Sequence, residues 1–89
     1  MEEFAIIANQ TLTNQKEVIY SNSKGAVVKT ILLFNSNNGE TKATLTFDGV
    51  AFNYALSTDE THIINSPIMT KEIKAVGEGV NIHITGLQL

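Results

Sequence analysis

Two imidazoles, His62 and His83, and the acids Asp59 and Glu60 next to the first are the side chains of this sequence best suited to chemistry. If they converged they could offer nitrogen and oxygen ligands to zinc, which takes three or four such donors. Nothing in their spacing brings them together, and there is no cysteine to complete a set. Both histidines therefore read as solvent-facing residues of strands, with no metal and no cofactor. The run Ser57-Thr58-Asp59-Glu60-Thr61-His62 holds a hydroxyl, an acid and an imidazole. A hydrolytic triad, however, is assembled from separate elements that hold the nucleophile in preorganised geometry. Neighbours on one polar turn read instead as a hairpin loop. The glycines are isolated and do not form a loop that could cradle phosphate. No residue reads as catalytic, and the expectation is a protein that is not an enzyme.

The aromatic residues Phe34, Phe47, Phe52 and Tyr54 could form a platform for a sugar ring. Their placement depends on the elements that carry them. Ten Ile, ten Thr and six Val are β-branched, and their stiff χ1 suits strands. Nine Asn, six Gly and five Ser supply turns. Strand-like segments recur at about 3–8, 16–20, 26–34, 41–47, 50–56, 60–65, 71–76 and 80–88, and no helical period persists. About eight short strands of this spacing predict an all-β domain over residues 1–89, a two-sheet antiparallel β-sandwich with jelly-roll-like connections.

The sharpest local signal is Phe47-Asp48-Gly49-Val50, because Asp-Gly tolerates the positive φ angles of a type I′ hairpin turn. This register sets Phe47 opposite Val50, Leu45 opposite Phe52 and Ala43 opposite Tyr54. All six then share one apolar face, which is assigned to the core and leaves no sugar platform there. A second hairpin is expected with Glu78-Gly79 as its loop, setting Ala75 against Ile82 and Ile73 against Ile84. Val80, Ile82 and Ile84 should point inward. Gly86 is expected to mark a bulge that turns Leu87 and Leu89 inward, or to leave them for a neighbouring subunit. Pro67 fits a strand entrance or corner.

Charge narrows the function classes. The six cations are all lysine, scattered singly among nine carboxylates, for a net charge of −3. Nucleic acid needs a clustered cationic surface and favours arginine, so it is excluded as a partner. No run approaches the roughly 18 apolar residues of a membrane span, and Met1-Glu2-Glu3 lacks a cationic leader. The chain is thus expected to be soluble and made in the cytoplasm, and Asn9-Gln10-Thr11 to be a chance match to a glycosylation acceptor. A domain of this size buries only about 60–65% of its unfolded surface and has no disulfide to help. Partner subunits are a common remedy. Phe4, Ile6, Leu87 and Leu89 are the interface candidates.

The order of signals also carries a resemblance. Val18-Ile19-Tyr20 leads to a turn closing at Gly25, then Ala26-Val27-Val28-Lys29-Thr30-Ile31 runs on to Asn35. Ala43 to Ala51, Ser66-Pro67-Ile68 and Gly79 to Leu87 follow. This pattern spans nearly the whole chain and resembles small β-sandwich virion proteins of tailed bacteriophages, found as capsid decoration, head-fibre or tail-associated modules. Similar modules often have a proline after the tyrosine strand, where Ser21-Asn22 stand here. The resemblance implies a structural part in a virion, commonly a homotrimer in contact with other virion proteins. A carbohydrate-binding module of a receptor-binding apparatus is the alternative, with a glycan as ligand.

Overall fold

The computed structural model describes residues 4–89, so the start of the first expected strand, at Glu3, lies outside the described residues. The described chain is antiparallel β throughout. Its strands are β1 (Ala5–Thr11), β2 (Glu17–Asn35), β3 (Thr41–Phe47), β4 (Val50–Leu56), β5 (Thr61–Ile64), β6 (Ile68–Val76) and β7 (Val80–Gln88). They form one hydrogen-bonded sheet in the order β1-β7-β2-β6-β3-β4, with β5 also on β2. The all-β expectation holds, but with seven strands instead of about eight and one continuous sheet instead of two.

Both differences trace to β2. The segments expected as strands 16–20 and 26–34 are a single 19-residue strand. At about 3.3 Å per residue a straight strand of that length would span roughly 60 Å. The whole molecule measures 42 × 23 × 18 Å, so β2 must bend. It does so where its register with β6 jumps between Ser21 and Ala26, at Gly25, whose φ is +85°. A Cβ on Gly25 would stand 3.0 Å from the Thr70 carbonyl oxygen, which leaves room for glycine only. Beyond the bend, β2 pairs with β7 on one side and, on the other, first with Ile68–Thr70 of β6 and then with β5; before it, β2 pairs with β6 alone. One half of the sheet is thus β1-β7-β2-β5 and the other β2-β6-β3-β4.

The two halves share one core. Ile31, Leu33, Ile82 and Ile84 from the first and Ala43, Leu45, Ile73 and Ala75 from the second belong to a single buried cluster. Residues of a one-layer sheet are shielded from water only where something covers them, so the halves must fold over this cluster. Pro67 stands at the corner between β5 and β6, where no ladder donor is needed.

The β3–β4 hairpin has the expected register, with Phe47 opposite Val50, Leu45 opposite Phe52 and Ala43 opposite Tyr54. Asp48 and Gly49 take φ of +51° and +89°, as a type I′ turn requires. The second expected hairpin does not form. β6 and β7 do not pair; they flank β2 on opposite sides, and Gly77–Gly79 arches from one half to the other. The arch is held by distant partners: the Gly77 and Gly79 N–H groups donate to the Thr13 and Leu12 carbonyls at 2.9 and 3.2 Å. Ser36 N–H donates to the Gly79 carbonyl at 3.1 Å. Val80, Ile82 and Ile84 do point inward. The bulge beside Gly86 lies in β2, at Lys29, so Leu87 keeps its outward parity and is half-buried. Gly86 itself is obligatory, since a Cβ there would run into the Val27 carbonyl and sit 2.9 Å from Val28 Cα.

Asp48 does more than turn the chain. Its carboxylate accepts the Lys71 and Glu72 N–H groups at 2.9 Å each, stapling the hairpin tip to β6. These two bonds, Lys71 first, hold the carboxyl below the ordinary aspartate range. A lowered folded-state pKa adds stability above the unfolded-state value, and that stability is lost as pH falls through the folded one. Asp48→Asn keeps a turn-compatible residue but removes the charge. It should lower the urea midpoint at pH 7, and the gap from the wild type should narrow as pH falls below the ordinary aspartate range; equal midpoints at pH 7 would refute the staple.

Candidate functional site

The structure separates the two histidines. His62 pairs with Leu33 on the inner face, and its ring lies 5.5 Å from that of Tyr54, centroid to centroid. His83 stands on the outer face between Asn9 of β1 and Leu32 of β2. No group of three or more potential metal ligands occurs among the described residues. His83 agrees with the expected outward placement in being half-buried on the outer face, whereas His62 faces inward, contrary to expectation. The run Ser57 to Glu60 is a turn, with Glu60 N–H donating to the Ser57 carbonyl at 3.1 Å and Ser57 N–H to the Glu60 carboxylate at 2.7 Å. It is not a hairpin loop, because β5 pairs with β2 and the turn crosses between the halves. Its end is clamped by Asn35, a fully buried polar residue at the end of β2. The Asn35 amide donates to the carbonyls of Gly39 and Ser57 at 2.8 and 3.0 Å.

Two surfaces remain that the core does not explain. The first is a groove of about 490 Å³ between β4 and β5, lined by Phe47, Val50, Phe52, Tyr54, Ile64, Ser66 and Ile68. It arises because β4 is an edge strand. Its inward-facing residues share a face with buried Ala43, Leu45 and Phe47, yet Val50 is 59% and Phe52 48% exposed. The assignment of the hairpin's whole apolar face to the core is therefore corrected: the β3 side is buried and much of the β4 side is open. Phe52 and Phe47 still touch at a ring separation of 6.0 Å. Partial burial pushes the Tyr54 hydroxyl pKa up.

The second surface is the outer face of the half β1-β7-β2-β5. Strand register sets its side chains in rows, because directly opposed residues share a face. One row is Asn9, His83, Leu32 and Ile63, and the next is Thr11, Asn81, Phe34 and Thr61. Ile6, Thr85 and Thr30 form a third, and Leu87, Val27 and Met69 a fourth. None of these residues is Asp, Glu or Lys, while Lys29 occupies the bulge between rows. Of the four interface candidates, Ile6 and Leu87 belong to these rows. Phe4, 70% exposed, immediately precedes Ala5, the residue opposite Gly86. Leu89 lies beyond β7, its N–H donating to the Gly25 carbonyl at 3.0 Å. The other half differs: its outer face carries Lys42, Lys74 and Glu72, the last two paired at 3.7 Å.

Neither the protein-family models nor the curated proteins contain a match to this chain.

The contrast across the hairpin is measurable. Leu45→Ala removes a fully buried side chain and should cost about 2–5 kcal/mol. Phe52→Ala, directly opposite, removes a ring already half in water and should cost less than half as much by urea denaturation. Similar losses would mean that the groove is closed in solution.

Proposed function

We propose that this chain is a non-catalytic structural module that acts through protein–protein contacts, as an accessory decoration, fibre or tail component of a bacteriophage virion. The outer face of β1-β7-β2-β5, whose rows hold no Asp, Glu or Lys and are interrupted only by Lys29 at the bulge, carries the reading. Charged side chains are depleted at interface centres, and large apolar residues on a continuous exposed patch mark contact sites. Ile6, Ile63 and Met69 are 61%, 55% and 72% exposed on or beside these rows. Three strands of about seven residues and the four-residue β5, at about 4.8 Å spacing, give a patch of several hundred Å². That is the order of the roughly 800 Å² per partner of a standard interface. The virion setting rests on the resemblance of strand and turn order, as does the homotrimer as the form of self-assembly.

A second reading, a carbohydrate-binding module, has one observation in its favour. Phe34, Asn9, Asn81 and His83 line a shallow depression of about 220 Å³ on this same face. An aromatic ring rimmed by amides is suited to sugar hydroxyls and apolar sugar faces. A glycan array with Phe34→Ala and His83→Ala controls separates the readings, since only the second expects specific sugar binding that both substitutions abolish.

For the structural reading, light scattering at micromolar concentration should give a mass near a multiple of the 9.7 kDa chain. Ile6→Lys, which places a charge on the exposed patch, should lower that mass. A monomeric wild type would refute self-assembly.

A further inference from the structure

Sheet edges expose unpaired N–H and C=O groups, and proteins usually defend them with charge, proline, bulges or shortness. The edges of this molecule differ in how far they do so. β1 carries a bulge between Ile6 and Ala8. The first part of β2 has two register breaks, with Glu17 and Lys24 along it. β5 has only four residues. β4, Val50-Ala51-Phe52-Asn53-Tyr54-Ala55-Leu56, has none of these defences: it pairs with β3 in unbroken register and holds no charge and no proline. Among the described residues, no strand pairs with its other side.

Its sequence is also symmetric in kind about Asn53: an aliphatic residue, Ala, an aromatic ring, Asn, an aromatic ring, Ala, an aliphatic residue. We propose that β4 is a self-pairing edge, which joins antiparallel to β4 of a second copy about a twofold axis at Asn53. In that register Asn53 faces Asn53 of the second copy, Phe52 faces Tyr54, Ala51 faces Ala55 and Val50 faces Leu56. The ladder phase permits it. Phe47 and Val50 flank a two-residue turn and exchange hydrogen bonds, so Val50, Phe52 and Tyr54 bond back to β3. Ala51, Asn53 and Ala55 then aim their backbone groups outward, to an identical set on the partner.

The occupant is a second copy because the fit is mutual. In a chain of net charge −3, contact between charged faces opposes like charges, whereas this strand meets itself without any. On the groove side the pairing sets Phe52 and Tyr54 of each copy against Tyr54 and Phe52 of the other, and aromatic cross-strand pairs are favourable. It thereby covers the rings that β4's edge position leaves open. On the outer side only Ala and Asn approach, and small residues let the backbones meet. Such an interface is isologous and closes at two chains. A trimer built on the outer face would be doubled by it.

This inference goes beyond the outer-face reading and is tested apart from it. The chain has no cysteine, so Asn53→Cys provides a single thiol. Cα atoms about 5.5 Å apart across the axis lie within disulfide range. Mild oxidation should give a covalent dimer far faster than with Thr58→Cys, an exposed control on the β4–β5 turn. Asn53 is exposed, so Asn53→Lys should fold normally by circular dichroism while setting two cations opposite each other and halving the native mass. With Ile6→Lys present to disable the outer face, the edge should still hold two chains, near twice 9.7 kDa. Oxidation of Asn53→Cys no faster than the control, or a monomeric Ile6→Lys protein, overturns the edge. An unchanged mass for Ile6→Lys with a halved mass for Asn53→Lys supports the edge and refutes self-assembly through the outer face.

Discussion

A single strand, β2, runs through both halves of the sheet and so fixes how they can fold over one core. β2 is too long to lie straight in the molecule, and its bend at Gly25 carries the hydrogen-bonded ladder from one half to the other. Every other strand takes its place from that path. β5 and β6 follow the same side of β2 in succession, with Asn65 to Pro67 as the corner, and β7 follows the opposite side. The core can therefore be a single cluster although backbone pairing never divides into two sheets.

Continuity through β2 sets where the structure is closed and where it is open. Along β2 the halves are joined by backbone pairing, and the arch Gly77–Gly79 ties them again through Leu12, Thr13 and Ser36. On the far side β4 and β5 end their respective halves and do not pair with each other. The Tyr54–His62 ring contact and the Asn35 clamp hold these edges near one another, but the groove between them is not filled by the chain's own side chains. A domain of this size has little apolar material to spare, and partial burial of aromatic rings at an open edge is what a small core leaves over.

Charge is distributed unequally between the two outer faces. The half containing β3 and β6 presents lysines and glutamate to water, whereas the half containing β1 and β7 presents mainly Thr, Asn and aliphatic residues, with Lys29 at the bulge. Polarity without charge is compatible with both solvent and a partner surface, since neutral groups lose less on desolvation than ions do. The two faces are thereby suited to different surroundings even though strands of one composition build them.

Much of this was legible in the residues. β-branched residues with turn signals specified strands, and Asp48-Gly49 determined the β3–β4 register because a two-residue turn admits only one pairing. Parity within β7 correctly assigned Val80, Ile82 and Ile84 to the core. Gly77-Glu78-Gly79 misled because a tight turn has the same local chemistry whether the strands beside it pair or part; partners at Leu12, Thr13 and Ser36 decided the matter. In the same way, alternation told which of Phe47, Phe52 and Tyr54 share a face but not which are covered. Strand identity, the hairpin register and the side to which each residue points follow from the residues alone, since these depend on neighbours within a few residues. Strand order, the sharing of β2 and the exposure of β4 emerge only in the folded chain, because a strand becomes an edge through what fails to pair with it, and those relations lie far along the chain.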